Sequence, residues 1–222
     1  MERTDEREVR MLTAVLRQEE ANRRAVFEWA HPSWFSDALP RDIGVATDAA
    51  PLKACAARWL ELLGVGPVPM RAFCGHAASL AALPIETMMK MLRLRAVWPR
   101  RAQLRHWIDR PRRLRLAESV GAAAADALRK ESASMLGAPA WVERAPALDT
   151  SSDEALAWDG YCLFVRDGVW PGPDDGTPPL ARMALPRDGA VAEWIGRYRP
   201  GADGGDSEAV LNYLPLVSTE DQ

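Results

Sequence analysis

The side chains able to do chemistry are few in this chain, and they do not converge. His31, His76 and His106 stand apart, and none belongs to an H-E-x-x-H or similar helical pair that would place two imidazoles on one metal. Cys55, Cys74 and Cys162 are odd in number and contain no C-x-x-C, so they read as reduced core thiols. Cys74 and His76 are spaced so that a helix points them to different sides. Ser33 lacks the G-x-S-x-G turn that exposes a nucleophile. Gly64-Val65-Gly66 runs into Pro67, which removes a backbone donor, and Gly201 to Gly205 is acidic, so neither suits a phosphate. The acids Glu19-Glu20 and Asp174-Asp175 are adjacent, hence on different faces or in loops. No catalytic, cofactor-binding or metal-binding residue is assigned, and the expected class is a non-enzymatic protein without a cofactor.

Arginine is the one functional group present in density. Nine arginines, at 93, 95, 100, 101, 105, 110, 112, 113 and 115, face a single acid in that stretch, Asp109. From Asp149 to Gln222 the only arginines are Arg166, Arg182, Arg187, Arg197 and Arg199, among many Asp and Glu. A formal net charge of -3 therefore hides a basic middle and an acidic end. Either the two halves neutralise each other, or the basic stretch docks an acidic partner through Arg101, Arg105, Arg110, Arg112 and Arg113. A basic helix also suits phosphates. The acidic end opposes that reading, and the aromatics among the arginines are limited to Trp98 and Trp107. Lysine occurs only at 53, 90 and 130, a chain-wide preference that weakens inference from any one arginine.

The elements that must position these residues are helices. Asp5 to Trp29 carries no Gly or Pro, with Val9, Leu12, Leu16 and Val26 near one face. His31-Pro32 breaks that helix, because the residue before proline is pushed out of the α region, and Trp34 and Phe35 anchor the reversal. Pro51 opens a helix whose stripe is Leu52, Cys55, Trp59, Leu62 and Leu63, ending at Gly64. Met70 to Leu83 is Ala-rich and central, and Pro84 opens a further helix through Val97. Leu104 to Asp109 reads as one amphipathic turn with Leu104, Trp107 and Ile108 turned inward. After Pro111, Arg112 to Leu136 reads as a helix carrying Leu114, Leu116, Val120, Ala124 and Leu128, with Gly137 as its stop. Beyond it loops dominate, with a helix over Ala155–Val165, where Tyr161 to Val165 reads equally as a short strand before Asp167-Gly168, a short helix over Val191–Tyr198 and a last turn or two over Ser207–Leu214. Trp158 and Trp170 are candidate interface anchors.

The fold expected is all-α, a compact orthogonal bundle of short helices whose loop-rich C-terminal part has room for a short strand or two. The 222 residues read as one domain, with a core at about 25–137 and a Pro/Gly-rich extension at about 138–222. A chain of this length buries roughly two-thirds of its unfolded surface. Met1 to Arg10 is charged and no apolar run approaches the ~18 residues of a span, so a cytoplasmic location is expected.

Two short elements carry a resemblance. His31-Pro32-Ser33-Trp34 and, further on, Leu104-Arg105-His106-Trp107-Ile108-Asp109 together resemble the SctK/YscK family of bacterial type III secretion accessory proteins, in its Hrp-type branch. The resemblance covers about residues 25–135 and includes a basic stretch followed by an Ala-rich helix with a glycine, here Gly121. Where the family commonly has Gly after Trp-Ile-Asp, this chain has Arg110-Pro111, which alters how that turn ends. The resemblance implies an adaptor of the cytoplasmic sorting platform of an injectisome, supporting effector export. It also implies partners: the SctD-type inner-membrane ring protein, the SctQ-type pod protein and, indirectly, SctL and the SctN ATPase. It places the chain in the cytoplasm, peripheral to the inner membrane, without nucleic acid or membrane insertion. A basic-helix nucleic-acid-binding regulator and a type III secretion chaperone are the alternatives.

Overall fold

The computed structural model describes residues 2–35, 49–66, 83–134, 146–170, 180–197 and 206–218, together with Leu80. It is all-α, and no strand occurs among the described residues. The Ala-rich stretch before Leu80, Cys74, His76, Asp174-Asp175, Gly137 and Gly201 to Gly205 lie outside them. The helices are α1 (Glu2–Arg24), α2 (Val26–Trp29), α3 (Ala49–Leu62), α4 (Ile85–Val97), α5 (Arg110–Val120), α6 (Ala122–Ser134), α7 (Asp153–Arg166), α8 (Glu193–Arg197), α9 (Asp206–Leu211) and α10 (Leu214–Ser218). Among the described residues there are also the 3-10 helices Pro32–Trp34, Trp98–His106 and Leu180–Ala184. None of the described helices is long and apolar enough to cross a membrane.

Contacts divide the chain into two units, Met1–Met88 with Pro171–Asp188, and Met89–Trp170 with Gly189–Gln222. The division thus falls inside α4, and the C-terminal residues are shared between the units.

In the first unit α1 forms because nothing in it breaks a helix and its glutamates precede arginines by one turn. Glu19 reaches Arg23 at 3.2 Å and Glu20 reaches Arg24 at 2.7 Å, the favourable order for such pairs. The Glu19 carboxyl is pushed above its ordinary value by burial, which outweighs Arg23. Asn22 donates to the Leu83 carbonyl at 2.9 Å. Val26, Ala30, Ala56, Trp59, Leu60, Val65, Leu180 and Met183 make the core, and Phe35 stacks on Trp59 with ring centres 5.0 Å apart. The stripe expected on α3 is corrected here. Trp59 faces inward and Leu63 packs on the core as expected, but Cys55 is exposed and Leu62 is 71% exposed, because Ala56 and Leu60 take the inward positions beside Trp59. The helix does end as expected, at Gly64 with φ +72°, where the Val65 N–H donates back to Leu60 at 2.8 Å.

The second unit is built on the apolar residues of α4, with α7 laid against it. Gly160 allows that approach, since a β-carbon there would sit 1.8 Å from the Leu92 carbonyl oxygen. Leu116, Val120, Ala124, Leu128, Leu163, Phe164, Ile195, Val210 and Val217 complete the core. The single helix expected over Arg112–Leu136 is two, because Gly121 adopts φ +95° and ψ 141° between α5 and α6. That left-handed backbone is one only glycine takes without strain. Ala155–Val165 is helical as expected, within α7.

Candidate interaction surface

The His31-Pro32-Ser33-Trp34 element is occupied within the first unit. His31 takes an extended conformation and caps the 3-10 helix, its Nδ1 accepting the Ser33 N–H at 3.2 Å. Because Nδ1 accepts there, the Ser33 hydroxyl 2.8 Å away donates to it. Ser33 Oγ in turn accepts the Arg187 N–H at 2.8 Å, and the His31 N–H donates to the Met183 carbonyl at 2.7 Å. Trp34 donates its indole N–H to Leu185 at 2.8 Å, with the Arg182 and Arg187 guanidiniums 5.3 and 5.7 Å from its ring. The motif therefore clips residues 183–187 to the turn that follows α2. Its chemistry is used in holding the unit together.

The arginine belt divides in two. On its inner side Arg95 is fully buried. It donates to Ser207 Oγ and Asp167 Oδ2, both at 2.9 Å, and lies 3.9 Å from Asp206. Trp98 donates to the same Asp206 at 2.8 Å. Arg93 donates to the Ser119 carbonyl at 3.1 Å and stands 3.6 Å from Asp153. Arg100 caps the Ala96 carbonyl, reaches Asp159 at 3.5 Å and lies 4.8 Å from the centre of the Trp194 ring. Burial pushes the Arg93 and Arg100 guanidiniums below their ordinary values, and Asp153 and Asp159 oppose it. Burial likewise raises the Asp159 carboxyl against the pull of Arg100. These acids all come from the acidic end, so on this side the two halves of the sequence do neutralise each other.

Arg101, a docking candidate from the sequence, belongs with this inner group. Its guanidinium lies 4.2 Å from the Trp98 ring, donates to the Trp98 carbonyl at 2.8 Å and stands 3.6 Å from Glu131. Tyr213 donates to the same Glu131 at 2.6 Å, and burial and that carboxylate both push its phenol well above the ordinary value.

The outer side begins at Leu104. Leu104 is 2% exposed and holds the 3-10 helix to the core. The Trp107 N–H donates to its carbonyl at 3.1 Å, ending that helix, and Trp107 and Asp109 are extended. Asp109 then starts α5 as its N-cap, accepting the Arg112 N–H at 2.9 Å. The reading of Leu104–Asp109 as one amphipathic turn is corrected accordingly. Trp107 is half-buried, and Ile108, expected in the core, is 90% exposed. The physical reason lies in α5. A residue before an N-cap is covered when an apolar side chain stands at the fourth helical position, and here that position is Arg113.

Near Ile108 in sequence most of the exposed charged side chains are basic, with Asp109 the exception. Arg105, Arg110, Arg112 and Arg115 are exposed and Arg113 is half-buried. Arg112 stands 3.6 Å from Asp109 and 6.0 Å from the centre of the Trp107 ring. Arg105 donates to His106 Nε2 at 3.0 Å. Leu114, read from the sequence as core, is 51% exposed one turn further along α5. Leu114 and Arg115 join the surface without having been singled out, and helical spacing alone did not separate them from Leu116. Trp170 is buried and Trp158 is half-buried with its indole N–H donated to Ala190 at 2.8 Å, so both anchors serve the second unit.

This arrangement offers recognition: guanidiniums that bind carboxylates, beside uncovered aliphatic side chains. Among the described residues no group of His, Cys, Asp and Glu is placed to hold a metal ion. The family model described as bacterial type III secretion protein (HrpB4) matches residues 7–220. No curated protein and no solved structure matches. Spanning both motifs and nearly the whole chain, the match shows that the protein belongs to the HrpB4 family of bacterial type III secretion proteins.

Proposed function

We propose that the protein is a non-enzymatic adaptor of the type III secretion sorting platform, linking the SctD-type inner-membrane ring protein to the SctQ-type pod protein. Family membership supports work in the secretion apparatus. The observation that carries the adaptor reading is the division of the arginine belt. Four of its arginines are consumed inside the second unit by Asp153, Asp159, Asp167, Asp206 and Glu131, while Arg105, Arg110, Arg112 and Arg115 face outward. A protein that works by complementary surfaces needs such an outward set.

The test is a pull-down of the SctQ-type protein and of the SctD-type cytoplasmic domain on the full chain. The variant is Arg105→Glu with Arg110→Glu and Arg112→Glu. The adaptor reading expects wild-type capture of both proteins, with at least one weakened in the variant at an unchanged thermal midpoint. A wild-type chain that captures neither overturns it. A salt-sensitive gel shift with duplex DNA in place of protein capture would support the nucleic-acid regulator instead.

A further inference from the structure

The outward surface also specifies what kind of segment it fits. Ile108 stands in a link of extended backbone braced on both sides, by buried Leu104 and by the Asp109 cap. Its position is thus set before any partner arrives, which reduces the ordering cost of binding. Arg110 and Arg112 flank it in sequence, and Arg105 and Arg115 are exposed as well. Asp109, the only acid in the basic stretch, is already engaged by the Arg112 N–H and guanidinium.

Resting on the adaptor reading, we infer that this surface receives an acidic segment of a protein partner, in which an apolar socket takes Ile108 and flanking carboxylates meet Arg110 and Arg112. A phosphate itself offers an aliphatic side chain nothing to pack against, so Ile108 gains only from a site with an apolar surface. Trp107, the aromatic a base would stack on, is half-buried and has the Arg112 guanidinium near its ring. Charge complementarity selects the acidic partner and isoleucine demands a socket. The two contributions act at different stages, since exposed charges steer encounter whereas a buried apolar contact sets how long the complex lasts.

Binding kinetics of the full chain with the SctQ-type protein and with the SctD-type cytoplasmic domain, at several ionic strengths, separate the two. Ile108→Ala is expected to raise the dissociation rate about tenfold with little change in association, the order of effect of withdrawing an aliphatic side chain from an apolar site. Arg110→Glu with Arg112→Glu is expected to slow association and to flatten its dependence on salt. Both changes are at exposed positions, and matching melting curves establish that the variants fold. A wild-type chain that binds neither protein overturns the adaptor reading and this inference with it. Wild-type binding that every variant retains overturns this inference alone. Binding to duplex DNA or phosphatidylglycerol vesicles that the arginine variant loses, with protein binding intact, also overturns it.

Discussion

Arg93, Arg95 and Arg100 on one side, and Arg105, Arg110 and Arg112 on the other, belong to one run of sequence and share one side chain. The first three are surrounded by acids from the C-terminal end of the chain and by backbone carbonyls. The other three are exposed, Arg105 against His106 and Arg112 against Asp109, and Ile108 between them in sequence is exposed too. A basic run is therefore not a functional unit. Each guanidinium's role is set by its burial and by whether a carboxylate from elsewhere in the chain reaches it, and the exposed ones are those a second molecule can approach.

The largest effect is expected on the inner side. Arg95→Ala leaves Asp167 and the buried Asp206 without the cation that sits between them, and loss of one partner of a buried pair costs about 3–5 kcal/mol. Urea unfolding should show that loss; a variant as stable as wild type would contradict the inner role. A change of about 1 kcal/mol is expected at the boundary, where Asp109→Ala removes the α5 cap. Because it also loosens the Ile108 link, binding should weaken along with the melting temperature.

A smaller difference depends on pH. Burial holds the Asp159 carboxyl above its ordinary value in the folded chain, so the native state keeps a proton that the unfolded chain has already released. Stability contributed this way is full below the unfolded pKa and falls as pH rises through the folded one. Asp159→Asn lacks that decline, so its stability relative to wild type should improve from the ordinary aspartate range toward neutrality. Unfolding curves at several pH values read the trend, and an opposite slope contradicts the burial of Asp159. Smallest of all, Arg110→Ala and Arg112→Ala should alter stability by no more than about 0.5 kcal/mol, a result that sharpens the contrast with Arg95.

How much of this is readable from sequence follows from the range of each interaction. The breaks at Pro32 and Pro84, the stop at Gly64 and helix α7 are decided by residues next to one another, and they are legible. So is the all-α class. The pairing of Arg95 with Asp167 and Ser207 joins residues far apart in the chain, and nothing local announces it. Ile108 misleads for another reason. Its spacing from Leu104 and Trp107 fits a helical face, but the 3-10 helix ends at the Trp107 N–H and Asp109 starts a new one. Two local signals, a stop and a cap, outrank the periodicity that spans them. Gly121 acts likewise on the segment read as one helix. His31 to Trp34 marks a break correctly, while its docking of residues 183–187 is again a long-range fact.

On the proposed reading the outer arginines and Ile108 bind, while the inner arginines hold the second unit together. Hydrogen–deuterium exchange of the full chain tests it most directly, with and without the SctQ-type protein and, separately, the SctD-type cytoplasmic domain. At least one partner is expected to slow exchange across residues 105–115 and to leave 91–100 unchanged. Protection confined to the first unit, or no protection over 105–115 in a complex that forms, would contradict it.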